Sequence, residues 1–306
     1  MNKRRSRMHR LSIAKRVALT DRDMAIFRAL SKYRYLRSSY LHAFAGGASE
    51  TRFKERLGDL FHEGFLDRPE AQWQFANARY QPAMYELGAG ARRQLVEGSG
   101  EIPSPVTFLS ERTSRQFQHA ALICAFLASA ELTARTVAGL RFIGWPEILE
   151  RAPAATRAKA LPFRLDFGGV GLVPDAVFGL EYSTDGRKSY RFFALEIDRG
   201  TMPVSRSSND QTSYAAKLAA YHQIITRSLY RAQWGTSTLL ILTATTTGAR
   251  LASMLPHVPR GIEGSSFLFR AMTDFTASNG LMWPDPSVLG APWLRAGQSQ
   301  LSLARP

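Results

Sequence analysis

A hairpin-like segment, LVPDAVFGLEYSTDGRKSYRFFALEIDRGT at residues 172–201, constrains the fold of this chain more than any other stretch. Two apolar runs rich in aromatic and β-branched residues flank Asp185-Gly186, and this pattern is typical of a β-hairpin with a two-residue turn. Side chains alternate between the faces of a strand, so Glu196 and Asp198 share one face of the second strand. Asp175, near the start of the first strand, joins them if the register allows it.

These three acids lie at positions where the strand pattern predicts apolar residues. Clustered carboxylates repel one another unless a cation or a bound proton offsets their charge. Mg²⁺ prefers oxygen ligands, commonly one or two carboxylates together with water and phosphate. The hairpin therefore predicts a metal site formed by Asp175, Glu196 and Asp198. The alternative is that the acids form the solvated face of an edge strand.

The residues around the hairpin predict a mixed sheet with helices packed on it, over residues 110–278. A long helix is expected from Ser110 to about Thr136, and another from about Ser208 to Leu229. TSTLLILTAT has the composition of a buried parallel strand, and SSFLFRAM is expected to be the last strand. Residues 96–109 are rich in Gly, Pro and Ser and predict a linker. We expect residues 279–306 to form a loosely ordered tail.

The N-terminal third, residues 19–95, has a different pattern. Thr20 is a good N-cap for a first amphipathic helix, and Ser49 caps a third helix after the AGGAS break. Two short strands and a small helix follow, in an order that closely resembles winged-helix DNA-binding domains. A recognition helix enters the major groove by its N-terminal residues. We therefore predict that Arg52, Lys54 and Arg56 bind DNA; the alternative is a winged helix that contacts protein.

The charge of the chain favours a nucleic-acid partner. Lys and Arg number 40 against 25 Asp and Glu, which gives a net charge of +15, and such an excess favours binding to polyanions. Residues 1–18 include seven basic residues and no acid, so we expect a flexible arm that places Arg4 and Arg5 on phosphates. The alternative is a solubilising tail.

Other features of the sequence argue against a membrane or secreted protein. We find no apolar run of 18 residues, and the arm lacks the apolar region of a secretory signal. Cys124 is the only cysteine, which excludes an internal disulfide and a cysteine-rich zinc site. A cytoplasmic protein is expected.

The motif order also resembles a known family. Pro174-Asp175, then Glu196, then a helix that contains a lysine, looks like the PD-(D/E)xK nuclease superfamily, whose fold is a mixed sheet flanked by helices and whose carboxylates bind Mg²⁺ or Mn²⁺. PDAVFGL with FFALEIDRGT and KLAAYH, after a winged helix, is similar to the replication-relaxation family. That family includes MobC-type relaxases, which nick plasmids or integrative elements at the transfer origin.

This resemblance assigns roles to individual residues. It implies that Asp175 and Glu196 are metal ligands and that Asp198 stands where the superfamily usually has its lysine. Lys217, flanked by Tyr214 and Tyr221 on the next helix, is then the candidate for that lysine. The alternative for Lys217 is a packing face with a snorkelling side chain.

Two functions are consistent with the sequence. The resemblance implies a relaxase-like, metal-dependent nickase that acts on double-stranded DNA at a transfer or replication origin. It would lie in the bacterial cytoplasm with the nucleoid or a plasmid, and other conjugation or replication proteins are candidate partners. The alternative is a non-catalytic regulator or replication accessory factor that keeps a degenerate nuclease fold.

Overall fold

Helices and strands are mixed along the chain, as the sequence predicts for an α/β protein. The computed structural model describes residues 5–74, 77–99, 114–205, 213–273 and 280–306. The chain divides into two compact units near Leu132 and Thr133, and residues 285–306 return to the second unit. Arg4 and residues 100–109 of the expected linker lie outside the described part of the chain, while residues 96–99 end a helix.

Within the described residues, the first unit has five α-helices and a three-stranded antiparallel sheet of order β1-β3-β2. The elements are α1 (Asp21–Tyr33), β1 (Leu36–Arg37), α2 (Ser38–Ala45), α3 (Glu50–His62), β2 (Leu66–Asp67), β3 (Met84–Leu87), α4 (Ala89–Ser99) and most of α5 (Ser114–Ala134).

Local sequence sets the starts of two of these helices. The Thr20 side chain and Asp23 form a reciprocal capping box at the start of α1, which satisfies backbone N–H groups that have no partner inside the helix. The Ser49 side chain accepts a hydrogen bond from the backbone N–H of Arg52 and caps α3. Both caps confirm the sequence prediction, whereas the short strand β1 was not expected.

The second unit contains a seven-stranded sheet of order β12-β11-β10-β9-β8-β7-β4. Strands β8, β9 and β10 are parallel, and the other pairs are antiparallel. The elements are β4 (Leu140–Ile143), α6 (Trp145–Arg151), α7 (Ala154–Arg157), β5 (Leu165–Phe167), β6 (Val170–Leu172), β7 (Ala176–Thr184), β8 (Arg187–Asp198), α8 (Tyr214–Thr226), α9 (Leu229–Trp234), β9 (Leu240–Thr245), α10 (Gly248–Met254), β10 (Phe267–Ala271), α11 (Ser287–Gly290), β11 (Pro292–Arg295) and β12 (Gln298–Ser302).

The predicted hairpin is present as β7 and β8, which pair without interruption from Ala176 with Leu195 to Thr184 with Arg187. Asp185 and Gly186 form the turn with φ of 49° and 74°, the left-handed backbone that a tight hairpin turn requires. Helices α8 and α9 connect β8 to the parallel strand β9, and α8 packs on the sheet through Leu218. Every residue of β8 from Phe192 to Asp198 is buried, so this strand is not a solvated edge.

Two expectations about the ends of the second unit are wrong. The segment 279–306 is not a loose tail, because β11 pairs with β10 and β12 extends the sheet, with Trp293 and Leu303 fully buried. SSFLFRAM, which forms β10, is therefore not the last strand. Helix α5 belongs mainly to the first unit, where Phe117 meets Tyr35 edge-on at 5.0 Å and Ser129 hydrogen-bonds to Tyr40.

Two smaller boundaries also differ from expectation. The helix expected from about Ser208 to Leu229 begins at the Ser213 cap, and Ser228, with a φ of 52°, separates α8 from α9. Residues 206–212 lie outside the described residues. The LPFRLDF segment supplies β5, which pairs only with β6 among the described strands, in a separate two-stranded ribbon.

One helix meets the length and composition of a membrane span, contrary to the expectation that no such run exists. Gln116–Ala134 of α5 qualifies by these measures, but 78% of this segment is buried inside the protein. The core helix of a soluble protein passes the same test, so this observation is weak evidence for a membrane span.

Candidate functional site

The hairpin register places Asp175 beside Glu196. Ala176 pairs with Leu195, so the residues before and after this pair, Asp175 and Glu196, are neighbours across the two strands. The Asp175 backbone N–H donates to the Leu195 carbonyl at 3.1 Å, and Oδ2 of Asp175 accepts from the Ile197 N–H at 2.8 Å. These two bonds fix the carboxylate of Asp175 at the start of β7.

Glu196 is a buried carboxylate held by two side chains of α8. Only 3% of Glu196 is exposed, and Lys217 Nζ contacts its Oε2 while the Tyr221 hydroxyl donates to its Oε1. Lys217 and Tyr221 are four residues apart, so they lie on the same face of α8. The predicted basic and aromatic face of this helix is therefore turned toward Glu196.

Burial raises the pKa of Glu196 from 4.5 to about 7. The neighbouring charge of Asp175 acts in the same direction, while Lys217 and the Tyr221 hydroxyl oppose it. Burial by itself would lower the pKa of Lys217, but the carboxylates of Glu196 and Asp175 outweigh it and raise that pKa. Lys217 is therefore charged at neutral pH, whereas the carboxyl group of Glu196 titrates near neutral pH.

The hydroxyl groups of the two tyrosines that flank Lys217, Tyr214 and Tyr221, are both hydrogen-bonded. Burial, followed by the charge of Glu196, raises the pKa of Tyr221 well above its usual range. Burial also raises the pKa of Tyr214, whose hydroxyl contacts the Thr243 hydroxyl on β9. Both tyrosines are buried. They serve here as neutral hydrogen-bond groups rather than as accessible phenolates.

Asp198 has a different environment from the other two acids. Its Oδ2 accepts from the Thr245 hydroxyl at 2.7 Å, and the Arg250 guanidinium binds both of its oxygens at 3.0 Å. Arg250 also donates to the Met202 carbonyl, so the ion pair ties the end of β8 to the loop that follows.

Two residues around Asp198, Arg250 and Thr245, were not predicted from the sequence. Thr245 could have been found from the strand pattern, because it ends β9 as Asp198 ends β8, and parallel pairing of these strands places the two residues opposite each other. Arg250 follows the Thr247 cap of α10 within one turn. Arg250 lies 52 positions from Asp198 in the sequence, so no local pattern predicts that they pair.

The donor set can be compared with the needs of a divalent cation. Within the described parts of the chain, no group of three or more His, Cys, Asp or Glu residues is arranged to hold a metal ion. Asp175 and Glu196 nonetheless supply adjacent carboxylates, and Mg²⁺ is commonly held by one or two carboxylates with the rest of its shell from water and phosphate. These two carboxylates are the ligand type that such an ion prefers, although Lys217 and Tyr221 already contact both oxygens of Glu196. Asp198 is held bidentately by the Arg250 guanidinium.

The predicted DNA-binding residues of the first unit fall into two groups. Arg52 and Lys54 are exposed on the first turns of α3, with Lys54 paired to Glu50 at 2.8 Å. Arg56 instead binds both oxygens of buried Asp23, at 3.0 and 2.6 Å. The bidentate pair occupies the guanidinium of Arg56, which anchors α3 to the start of α1.

The N-terminal arm also differs from the flexible arm that the sequence predicts. Arg5 contacts Asp59 and lies 3.5 Å from Glu63, and the Leu11 N–H donates to Nδ1 of His62 at 3.0 Å. His62 is buried although it lies on the side of α3 away from Leu57. Described arm residues therefore cover the C-terminal half of the outer face of α3.

A model of the replication-relaxation family matches residues 27–240, well over half of the chain. No curated protein and no solved structure matches the chain significantly.

Proposed function

Because the chain belongs to the replication-relaxation family, we propose that it acts on double-stranded DNA as a divalent-metal-dependent nickase at a transfer or replication origin. The family suggests a role in replication or in a mobile element. The nickase proposal adds a reaction and a site to that role. It also implies a bacterial cytoplasmic protein, associated with the nucleoid or a plasmid, with conjugation or replication proteins as further candidate partners.

The observation that carries the proposal is the meeting of Asp175, Glu196 and Lys217. Glu196 lies on β8, Asp175 immediately precedes the adjacent strand β7, and helix α8 contributes the lysine. This is the combination of carboxylates and lysine that the resemblance to PD-(D/E)xK nucleases implies. The antiparallel hairpin, crossover helix and parallel strand around it also support that resemblance.

Each residue has a separate role in the proposed reaction. Asp175 and Glu196 would hold Mg²⁺ or Mn²⁺, which when bound supplies Lewis-acid polarisation of a phosphate and a lowered pKa of water. Lys217 supplies positive charge beside Glu196, where charge develops on the phosphate. Burial of Tyr214 and Tyr221 supports water as the nucleophile and argues against a covalent link through these two tyrosines.

Asp198 has a positioning role in this proposal. Its ion pair with Arg250 anchors the segment between β8 and α8 through Met202. The sequence-based assignment of Asp198 as a third metal ligand is therefore replaced by a ligand pair, Asp175 and Glu196. The first unit would bind the duplex as a winged helix, with Arg52 and Lys54 exposed for contact.

A second candidate function is a DNA-binding replication factor without catalysis. The observation that favours it is that protein groups already contact both oxygens of Glu196 and both oxygens of Asp198. In such a protein the Glu196–Lys217 pair would serve only to hold α8 on the sheet.

A nicking assay separates the two functions. Supercoiled plasmid that carries the origin of the cognate element is incubated with the full chain and Mg²⁺ or Mn²⁺, and open-circular product is measured. The nickase proposal expects product from the wild type, loss in Asp175→Asn and Glu196→Gln, and retention in the control Asp166→Asn, whose carboxylate is an exposed group in the same unit. Duplex binding without product under either metal supports the second function.

A further inference from the structure

Two unpaired arginines lie near the turn that leads into α3. Arg22 in the first turn of α1 and Arg52 in the first turn of α3 are both exposed. Among the residues that the structure describes, neither side chain has an ion-pair partner. We infer that Arg22 joins Arg52 in a phosphate-contacting surface beside the α2–α3 turn, and that this surface, rather than the arm, grips the DNA backbone.

The guanidinium of Arg22 lies against the backbone at Gly47. A Cβ atom at residue 47 would lie 2.7 Å from Cζ of Arg22, closer than real side chains approach. The guanidinium therefore lies directly over the backbone of the turn. Gly47 has a φ of 111°, a conformation that favours glycine. The turn thus combines an unusual backbone with space for the charged group of another helix.

Several other basic groups near α3 are already bound by acids in the described part of the chain. Arg56 pairs with Asp23, and Arg5 and Lys15 pair with Asp59. An arginine in such a pair must give up its carboxylate before it can bind a phosphate. Among the described contacts, Arg22 and Arg52 have no ion pair to break. They can therefore bind a phosphate without losing a carboxylate partner.

The N-terminal half of α3 is open to a ligand, whereas its C-terminal half is covered by the arm. The arm covers His62 and the acids near the C-terminal end of the helix, while Thr51, Arg52 and Glu55 of the N-terminal half are exposed. A recognition helix contacts DNA by its N-terminal residues, and adjacent residues bind the backbone. Arginine has a planar fork of donors that matches phosphate oxygens. The DNA backbone is thus the partner that this surface fits.

The test measures the salt dependence of DNA binding by the full chain. Fluorescence anisotropy with a short labelled duplex of arbitrary sequence gives the association constant between about 50 and 200 mM salt. The slope of log K against log salt is compared for wild type, Arg22→Ala, Arg52→Ala and the control Arg28→Ala. Arg28 is an exposed arginine of the same helix, about 120° around its axis from Arg22.

We expect Arg22→Ala and Arg52→Ala each to reduce the slope by about 0.9, since each removes one phosphate contact. The advantage of wild type over each variant then shrinks about threefold between 50 and 200 mM salt. Arg28→Ala should retain the wild-type slope. A wild-type slope in Arg22→Ala, with a reduced slope in Arg52→Ala, overturns this inference alone.

This inference rests on the proposed DNA binding, and the same data distinguish the two failures. If Arg52→Ala and Arg22→Ala both keep the wild-type slope, DNA binding by this face of the first unit fails as well.

Discussion

Replacing Lys217 with methionine should make the stability of the chain depend on pH above neutrality. Lys217 contacts the buried carboxylate of Glu196, whose pKa is about 7 in its presence. The methionine side chain fills similar space but, among the described contacts, leaves the hydroxyl of Tyr221 as the remaining side-chain hydrogen-bond donor to the carboxylate. Burial then raises the pKa of Glu196 further, because the opposing charge is gone.

The sign and magnitude follow from proton linkage. Glu196 binds a proton more tightly in the folded chain than in the unfolded chain, so stability falls as pH rises from the unfolded pKa to the folded pKa. In the wild type this fall ends near pH 7. In Lys217→Met it continues above pH 7, so the stability difference grows by up to about 1.4 kcal/mol per pH unit. For a chain of 306 residues that corresponds to about 2 °C in Tm per pH unit, since the entropy of unfolding is about 2.1 cal/mol/K per residue.

Thermal melts from about pH 6 to pH 9 measure this difference, because the window spans the pKa of Glu196. Glu196→Gln is the matched control, since it keeps an acceptor for Tyr221 but cannot titrate. In that background Lys217→Met should lower Tm by an amount that does not change with pH. A constant Tm difference between wild type and Lys217→Met across the window would refute the electrostatic account of the pair.

Three further substitutions test structural parts of the account. Arg56→Ala should reduce the free energy of unfolding by about 2–3 kcal/mol, because it leaves buried Asp23 without its cation; an unchanged urea midpoint would contradict the anchoring role. Asp198→Asn should cost about 1–3 kcal/mol through the lost charge pairing with Arg250, and a thermal melt equal to wild type would exclude that role. Trp293→Ala should cost about 3–5 kcal/mol because its side chain is fully buried, and melts that show no loss would mean that β11 is not integral to the sheet.

The hairpin could be predicted because its signals are local. The turn type is determined by Asp185-Gly186, and the apolar runs on both sides determine the strand faces. The neighbouring positions of Asp175 and Glu196 follow once that register is known. Lys217 could also be singled out, because the resemblance to PD-(D/E)xK nucleases implies a lysine and the tyrosines around Lys217 lie at helical spacing. These parts of the site depend on residues close together in the sequence or on one simple pairing.

The missed features depend on contacts between distant residues. Arg52 and Arg56 look alike in the sequence, and only the fold shows that Arg56 is occupied by Asp23, 33 positions away. Asp198 is likewise bound by Arg250, 52 positions away. Strand β11 contains Pro292 and only four residues, so its stability comes from its neighbours in the sheet rather than from its own propensity.

Manganese binding tests the proposed ligand pair most directly. Electron paramagnetic resonance titration of the full chain with Mn²⁺ should show a bound ion in the wild type and in Asp198→Asn. The same titration should show loss of that ion in Asp175→Asn and in Glu196→Gln. Retention of the ion in both of those variants, or its absence from the folded wild type, would contradict the assignment of these two carboxylates as the metal site.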